Sequence, residues 1–455
     1  MKSVALHNLG CKVNSYEVEV MQQNLQKSGY EIVDFDQKSD IYIINTCSVT
    51  NMADRKSRQM LHRARKLNPE AIVVAVGCYV QADAYNIAQD ETIDLLVGNN
   101  LKKNISEIIG RYMDWEENFS ADMPEDEVNF LKKTLNNTTV VDMKTADFED
   151  ARMEHTAEHA RAYIKIQDGC NRFCSYCIIP YTRGRVRSRK PESVLEEIRG
   201  LVKEGYREFV LTGIHISSYG LDFEEKDPKK YLSELIESIN SLEGVERIRI
   251  GSFEPMILTE DFVERIAACH KMCPHFHISL QSGCDATLKR MNRRYTTDEY
   301  MEKVKLLRKY FPGCAITTDV IVGFPGETEE EFAGTKAFLE QVNFFEMHIF
   351  KYSRRRGTKA DTMPEQVPEE IKTLRSNILL ELEQAQSKAY RAGFIGKEAE
   401  VLLEESKIID GRVYWIGHTK EYVKIAVPGE CYTKNTVVRT VIKDFIQDDI
   451  LCGLC

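Results

Sequence analysis

Along residues 1–110, short runs of consecutive apolar positions alternate with longer stretches of mixed polarity. VALHNLG, DIYIINTC, AIVVAVGC and IDLLVGN have the near-continuous apolar character of strands covered on both faces. NSYEVEVMQQNLQKSG and RKSRQMLHRARKL have helical spacing; Asn14 or Ser15 can cap the first and Gly29 can end it. Strand and helix in alternation predict a parallel sheet with helices on both faces.

Residues 161–365 repeat the alternation on a larger scale. AYIKIQ, EFVLTGI, RIRIGS, HFHISLQ, AITTDVIVGF and FFEMHIFKYS read as strands. PESVLEEIRGLVKEG, YLSELIESINSL, TEDFVERIAAC, TDEYMEKVKLLRKYF and EEEFAGTKAFLEQV read as the helices between them. Six such units are too few for a closed eight-fold barrel and fit an open, partial (β/α)6 barrel. One further helix, PEEIKTLRSNILLELEQAQSKAYR, follows. EAEVLLEES, VYWIGHT, YVKIAVP and VVRTVIKDFI are then short β-type runs between turn residues, which predict a small antiparallel β-barrel. The fold class expected is α/β. The layout expected is an N-terminal α/β domain over 1–112, an acidic linker over 113–158, the partial barrel over 159–390 and the β domain over 391–455.

Charge alters this picture locally. The 455 residues carry a net charge of -10, which alone argues against a nucleic-acid partner. Residues 114–127 (DWEENFSADMPEDE) hold seven acids and no base, and NNTT at 136–139 suggests a hairpin turn. The stretch 113–158 is therefore expected to have little core of its own. Residues 183–190 (RGRVRSRK) hold five bases and no acid. Arg183, Arg185, Arg187 and Arg189 are thus candidates for phosphate contacts. KRMNRR at 289–294, KYSRRRGTK at 351–359 and a helix with Arg55, Lys56, Arg58, Arg63, Arg65 and Lys66 add positive charge. Residues 391–455 hold nine bases and ten acids, so the β domain is no conspicuous RNA binder by charge. Tyr414, Trp415 and Tyr422 are its candidates for base stacking, with a core role as the alternative. The N-terminus is no signal peptide and no run of about 18 apolar residues occurs, so a cytoplasmic protein without a membrane span is expected.

The chemistry is in the cysteines, thirteen in all. A reducing compartment disfavours disulfides, and clustering favours metal ligation. CNRFCSYC supplies Cys170, Cys174 and Cys177 from one loop, directly after a predicted strand that ends in Gly169. That places the loop at the mouth of the first barrel strand, where barrel active sites form. Zinc sites take four ligands, and four thiolates usually hold an iron–sulfur cubane. With three, one iron keeps an open position. The alternatives are zinc completed by a distant ligand, or three unconnected cysteines. Cys11, Cys47 and Cys78 each follow a predicted strand of the N-terminal sheet, at intervals of 36 and 31 residues. In a parallel sheet those strand ends share one edge, so three thiols can converge there. Three separate core cysteines are the alternative.

CxxxCxxC with Tyr176 before the last cysteine resembles the signature of the radical S-adenosylmethionine (SAM) enzymes. GCKVNSYE, NTCSVT, VGCYVQ and DGCNRFCSYCIIPYTRGRVRSR together resemble the methylthiotransferases. The similarity continues through LTGIHISSYG, HFHISLQSGCDATLKRMNRRYT, TTDVIVGFPGETEEEF and FKYSRRRGTKA. The last β region resembles an RNA-binding TRAM domain.

The resemblance implies two [4Fe-4S] clusters. One, on Cys170, Cys174 and Cys177, would bind SAM at its open iron and generate a 5′-deoxyadenosyl radical. The auxiliary one, on Cys11, Cys47 and Cys78, would carry the sulfur. It further implies SAM contacts from Tyr176, Thr212, Gly213, Ser279, Gln281, Gly323 and Gly326, and from Arg293 by pairing with a carboxylate. GCKVN resembles the branch acting on N6-threonylcarbamoyladenosine at tRNA position 37, beside the anticodon; the isopentenyladenosine branch tends to read GCQMN. Isopentenyladenosine in tRNA, an aspartate of a ribosomal protein, or a non-catalytic zinc-stabilised RNA-binding protein are the competing readings. The enzyme would also need an electron donor such as flavodoxin or ferredoxin, and a sulfur source. Asn14 is a helix cap or a group behind the cluster. Cys269, Cys273, Cys284, Cys314, Cys431, Cys452 and Cys455 have no expected role, and the terminal CGLC reads as a tail.

Overall fold

The computed structural model describes residues 1–119, 139–155, 160–429 and 432–454. The first three residues of NNTT, most of the acidic run, Cys431 and Cys455 lie outside the described residues. The chain divides into two compact units. The first comprises Met1–His155, Lys165–Lys190 and Ser353–Asp361; the second comprises Thr156–Ile164, Pro191–Tyr352 and Thr362–Cys455.

The first unit is built on a parallel sheet of β1 (Ser3–Asn8), β2 (Glu31–Val33), β3 (Ile41–Thr46), β4 (Ile72–Gly77) and β5 (Leu95–Val97), in the order β2-β1-β3-β4-β5. Alternate residues feed two cores. Val4, Ile41, Ile43, Val74 and Val76 meet α1 (Lys12–Lys27) and α4 (Ile105–Phe119) on one face. Ala5, Tyr42, Ile44, Val73 and Ala75 meet α2 (Asn51–Leu67) and α3 (Cys78–Ile87) on the other. The strands are apolar at consecutive positions because both faces are covered. The strand order reverses direction between β1 and β3, and the crevice outside the C-terminal ends of such strands is where ligands bind.

Two boundaries differ from expectation. Residue 112 falls inside α4, and Tyr112 is fully buried in the core. Beyond it, Met143 and Met153 are buried, and Tyr16 donates its hydroxyl to the carbonyl of Ala151 at 2.5 Å. The described part of the expected linker therefore packs on α1. Residues 165–190, expected in the barrel, belong with the N-terminal unit, because a network of buried charges ties them to α1 and to Lys102.

In the middle of the chain run β6 (Arg161–Asp168), β7 (Arg187–Ser188), β8 (Glu208–Gly213), β9 (Arg247–Ile250), β10 (Ser252–Phe253), β11 (His275–Ile278), β12 (Ala315–Val322) and β13 (Glu346–Lys351). Helices at Pro191–Lys203, Pro228–Asn240, Glu260–Ala267, Thr297–Tyr310, Glu329–Val342 and Glu369–Ala392 separate or follow the six longer strands. Strands β8 and β9 pair in parallel, and so do all neighbours in β10-β11-β12-β13. This is the strand–helix alternation of the expected partial barrel.

The last strands, β14 (Glu398–Ile409), β15 (Arg412–His418), β16 (Lys424–Pro428), β17 (Val437–Gln447) and β18 (Ile450–Gly453), close a barrel in the order β14-β15-β16-β18-β17. The pairing is antiparallel as expected except between β16 and β18, which run parallel. Cys452 lies in β18 opposite Ala426, so the described part of CGLC is a barrel strand and not a tail. Arg247 and Arg249 reach from β9 to the carbonyls of His418, Thr419 and Lys420. Tyr422 is enclosed by His418 stacked on its ring, by His275 and by the guanidiniums of Arg161 and Arg249. Tyr414 is buried and Trp415 packs on the barrel core. Of the three candidate stacking aromatics, Tyr414 is buried, while Trp415 and Tyr422 are half-buried against these neighbours.

Candidate active site

Both cysteine triads lie in the first unit. Cys11, Cys47 and Cys78 follow the C-terminal ends of β1, β3 and β4, so two of them flank the point where the strand order reverses. Cys11 is exposed, while Cys47 and Cys78 are buried. Burial, with Cys78 and Cys11 close by, pushes the Cys47 thiol up to about 12. The backbone enforces the approach. Gly10 has φ of +112°, and a Cβ there would stand 3.0 Å from Cys47 Sγ.

The second triad is shaped the same way. Gly169 has φ of +71°, and a Cβ on it would land 1.8 Å from the carbonyl oxygen of Arg185. The chain can therefore turn tightly into Cys170, whose N–H bonds the Gly184 carbonyl at 3.0 Å. Phe173 also adopts a left-handed backbone. The N–H of Arg172 donates to Cys170 Sγ at 3.4 Å, and that of Cys177 to the Cys174 carbonyl at 3.0 Å. Glycine immediately before Cys11, Cys78 and Cys170 is a repeated dipeptide, a sequence signal for these turns that the reading of strand ends passed over.

Between the triads lies a buried polar network. Arg183 is fully buried. Its Nε donates to Cys78 Sγ at 3.3 Å, and its Nη1 to Glu17 Oε1 at 2.7 Å and Asp168 Oδ2 at 3.2 Å. Its Nη2 donates to Asn14 Oδ1 at 2.7 Å and Glu17 Oε2 at 3.0 Å. Lys102 and Lys165 close on the same Glu17. Burial pushes the Glu17 carboxyl up, but Arg183, Lys102 and Lys165 together hold it well below the usual carboxylate range. Asn99 Nδ2 is 3.5 Å from Cys78 Sγ.

Asn14 is not the helix cap. The helix α1 begins at Lys12, and Asn14 Nδ2 holds the carbonyls of Leu9 at 2.6 Å and Thr46 at 3.1 Å. Glu17, Lys102, Lys165 and Asn99 are site residues the sequence did not disclose. Glu17 sits in an ordinary helical pattern, and its partners are up to 166 residues away.

The four arginines proposed for RNA separate. Arg187 and Arg189 are buried with Arg183, paired with Asp168 and Asp150. Only Arg185 among the four is exposed, with its guanidinium over the Phe173 ring. Arg183, Arg187 and Arg189 turn inward to the carboxylates of Asp168 and Asp150, while Arg185 of the same run points out. On α2, Arg55, Lys56, Arg58, Arg63 and Lys66 are exposed.

The remaining candidates lie in the second unit. Thr212 and Gly213 end β8. Gln281 has φ of +73°, and its backbone is stitched to Asp319 and Ile321 beside β12. Arg293 donates to the Tyr295 hydroxyl at 2.9 Å and the Ser279 carbonyl at 3.3 Å. Gly323 N–H donates to Glu327 at 2.9 Å, and a Cβ there would meet Lys372 at 2.3 Å. Gly326 N–H donates to the Glu365 carbonyl at 2.9 Å. These two glycines thus make strand-end turns whose N–H groups are already engaged. Unforeseen from the sequence, His277 Nε2 lies 3.1 Å from Asp319 Oδ2, with His348 stacked on His277.

The donor sets fit iron–sulfur clusters. Each triad offers three thiols. Among the described residues, the group of three metal-binding side chains that converges to within 4.8 Å is His277, Asp319 and His348, not either triad. Thiolates on one zinc stand about 3.8 Å apart. Donors to sulfur and a buried cation beside the thiols are the surroundings that stabilise clusters.

Residues 164–339 match the Radical SAM superfamily, and residues 3–98 match a family described as Uncharacterized protein family UPF0004. The chain is 40% identical over 430 residues to the threonylcarbamoyladenosine tRNA methylthiotransferase MtaB of Bacillus subtilis, covering 94% of this chain and 91% of that one. It is 35% identical over 425 residues to the tRNA-2-methylthio-N(6)-dimethylallyladenosine synthase of Acetivibrio thermocellus, covering 90% and 83%. In fold it is similar to the radical S-adenosylmethionine methyltransferase TsrM of Kitasatospora setae, with a TM-score of 0.56 at 16% identity over 79% of this chain and 74% of that one.

Proposed function

The chain belongs to the methylthiotransferase family of radical-SAM enzymes, and from that premise we propose that it converts N6-threonylcarbamoyladenosine at position 37 of tRNA to its 2-methylthio derivative. The observation that carries this is the pair of three-cysteine sites in one unit, joined by the Arg183 network. Identity of 36–40% to threonylcarbamoyladenosine methylthiotransferases, against 34–35% to dimethylallyladenosine synthases, supports the substrate.

When bound, two [4Fe-4S] clusters and SAM supply the radical and the sulfur that an unreactive adenine C2–H requires. The chain's own part is to hold and shield. Cys170, Cys174 and Cys177 hold the cluster that takes SAM, and Cys11, Cys47 and Cys78 hold the auxiliary one. Arg183 and Asn99 donate to Cys78 Sγ and keep that ligand oriented. Tyr176, Thr212, Gly213, Ser279 and Gln281 are assigned to SAM. Arg293 supports the Ser279 end of that set through the backbone. Gly323 and Gly326 shape the turn after β12 and are assigned to backbone contact with SAM there. Exposed Arg185 and, on α2, Arg55, Lys56, Arg63 and Lys66 are assigned to the tRNA backbone.

A low-potential flavodoxin or ferredoxin would reduce the enzyme, and a sulfide donor would replenish the sulfur. No helix among the described residues is long and apolar enough to cross a membrane.

The test is turnover. Reconstituted, reduced enzyme is mixed with SAM, sulfide and tRNA bearing threonylcarbamoyladenosine, and the nucleosides are read by mass spectrometry. A product heavier by one methylthio group supports the assignment. Conversion of isopentenyladenosine tRNA alone would overturn the substrate.

A further inference from the structure

A cleft of about 410 Å³ opens in the first unit, at a place to which no role has yet been given. Its lining includes Ser48, Arg58, Tyr79, Ile178, Arg355 and Arg356. Three of these are the immediate successors of cluster cysteines: Ser48 follows Cys47, Tyr79 follows Cys78 and Ile178 follows Cys177. The cleft therefore adjoins both triads.

Its charge is positive. Asp54 and Asp83 also line it, but both are engaged. Asp83 accepts two bonds from the Asn86 amide, at 2.8 and 2.7 Å. Asp54 accepts from buried Arg355 Nη1 at 2.6 Å, while Arg355 Nη2 donates to Ser48 Oγ at 2.6 Å. Arg58 spends one N–H on the Tyr79 hydroxyl at 3.1 Å and has no other hydrogen-bond partner among the described residues. Arg356 is exposed and has no ion-pair or hydrogen-bond partner among the described residues. Two guanidiniums with open donor positions thus face a polar cleft of a size that holds a small organic group.

We propose that this cleft receives the N6 substituent of the target adenosine, with Arg58 and Arg356 binding its carboxylate. This rests on the substrate reading above. The threonylcarbamoyl group carries a carboxylate and a hydroxyl; an isopentenyl group carries neither. In adenine, C2 and C6 flank the same ring nitrogen and C6 bears N6, so a base addressed at C2 beside these cysteines brings its N6 substituent to the same neighbourhood. Arg58 and Arg356 then decide which modified adenosine is accepted, since a site built for a charged group leaves its donors unpaired against an apolar one.

A guanidinium pair would also take a backbone phosphate, and the test separates the two sources. Binding of anticodon stem-loop RNA to the reconstituted holoenzyme is measured by titration. Three RNAs are used: one with threonylcarbamoyladenosine, one with its methyl ester, and one with unmodified adenosine. The wild type is expected to favour the free acid over the ester by about tenfold, the scale of one charge-assisted hydrogen bond. Arg58→Ala and Arg356→Ala, both at exposed positions, are expected to collapse that ratio towards one. Equal weakening on all three RNAs marks a phosphate contact and overturns the proposal. So does an unchanged acid-to-ester ratio in both variants. If the wild type converts only isopentenyladenosine RNA, the substrate reading fails and takes this assignment with it. If it converts the threonylcarbamoyl RNA and the ratio is unmoved, only the cleft assignment fails.

Discussion

The Nε of Arg183 lies 3.3 Å from the Sγ of Cys78, although 105 residues separate them in the chain. Arg183 follows the second cysteine triad by six positions, and Cys78 belongs to the first. One guanidinium therefore links the two sites and neutralises Glu17 and Asp168 as well.

Arg183→Met should leave two buried carboxylates short of their cation and cost about 3–5 kcal/mol in urea unfolding. Arg183→Lys should recover part of that, since an ammonium cannot serve all the acceptors of the fork. In the reconstituted protein, losing the N–H and the positive charge beside sulfur should lower the reduction potential of the N-terminal cluster. A stability and a potential both unchanged in the Met variant would remove Arg183 from this role.

The two triads should be separable by metal content. Two cubanes correspond to about eight irons per chain, and Cys47→Ala or Cys174→Ala should each reduce this to about four. Cys174→Ala should abolish 5′-deoxyadenosine formation. Cys47→Ala should retain it and lose methylthio product. Stoichiometric zinc in anaerobically purified wild type would contradict the cluster assignment.

Gly169→Ala should do more than strain the backbone. The left-handed conformation alone costs an alanine about 1–2 kcal/mol. Here the added Cβ also meets the Arg185 carbonyl at 1.8 Å. Gly29→Ala is the control, because its φ of +86° carries the same backbone strain with nothing within 4 Å. Equal loss of stability in the two variants would show that the loop yields freely.

His418 gives a pH signature. Its Nδ1–H donates to the Glu404 carboxylate at 2.7 Å, and its ring stacks on Tyr422. Burial lowers its pKa below the usual 6.5, and although Glu404 opposes this, Arg161 and Arg249 add to it. The folded state thus prefers neutral imidazole. As pH falls below 6.5 the unfolded chain takes up the proton first, so stability falls on acidification and is full above that value. The melting temperature should drop between pH 7.5 and 5.5 (about one unit either side of the usual value), and His418→Gln should flatten part of that slope. An identical slope in the variant would assign the loss elsewhere.

Several expectations about surfaces failed for one reason. RGRVRSRK has the composition of a phosphate-binding strip, yet three of its four arginines are buried with Asp150 and Asp168. Tyr422 looks like a stacking platform in sequence, yet Arg161, Arg249, His275 and His418 cover it. A cation or an aromatic ring carries no local mark of what will cover it. That depends on partners far along the chain.

The strand–helix alternation, the six cysteines at strand ends and the family motifs are local in the chain. Hydrophobic periodicity and short spacings determined them without any tertiary information. The tertiary structure decided which charges are neutralised inside, that residues 165–190 pack with the N-terminal sheet, and that Arg58 meets Arg356 across one cleft. Burying an ion requires a counter-ion at a few ångströms, and only the folded chain brings Glu17 to Arg183 across 166 residues.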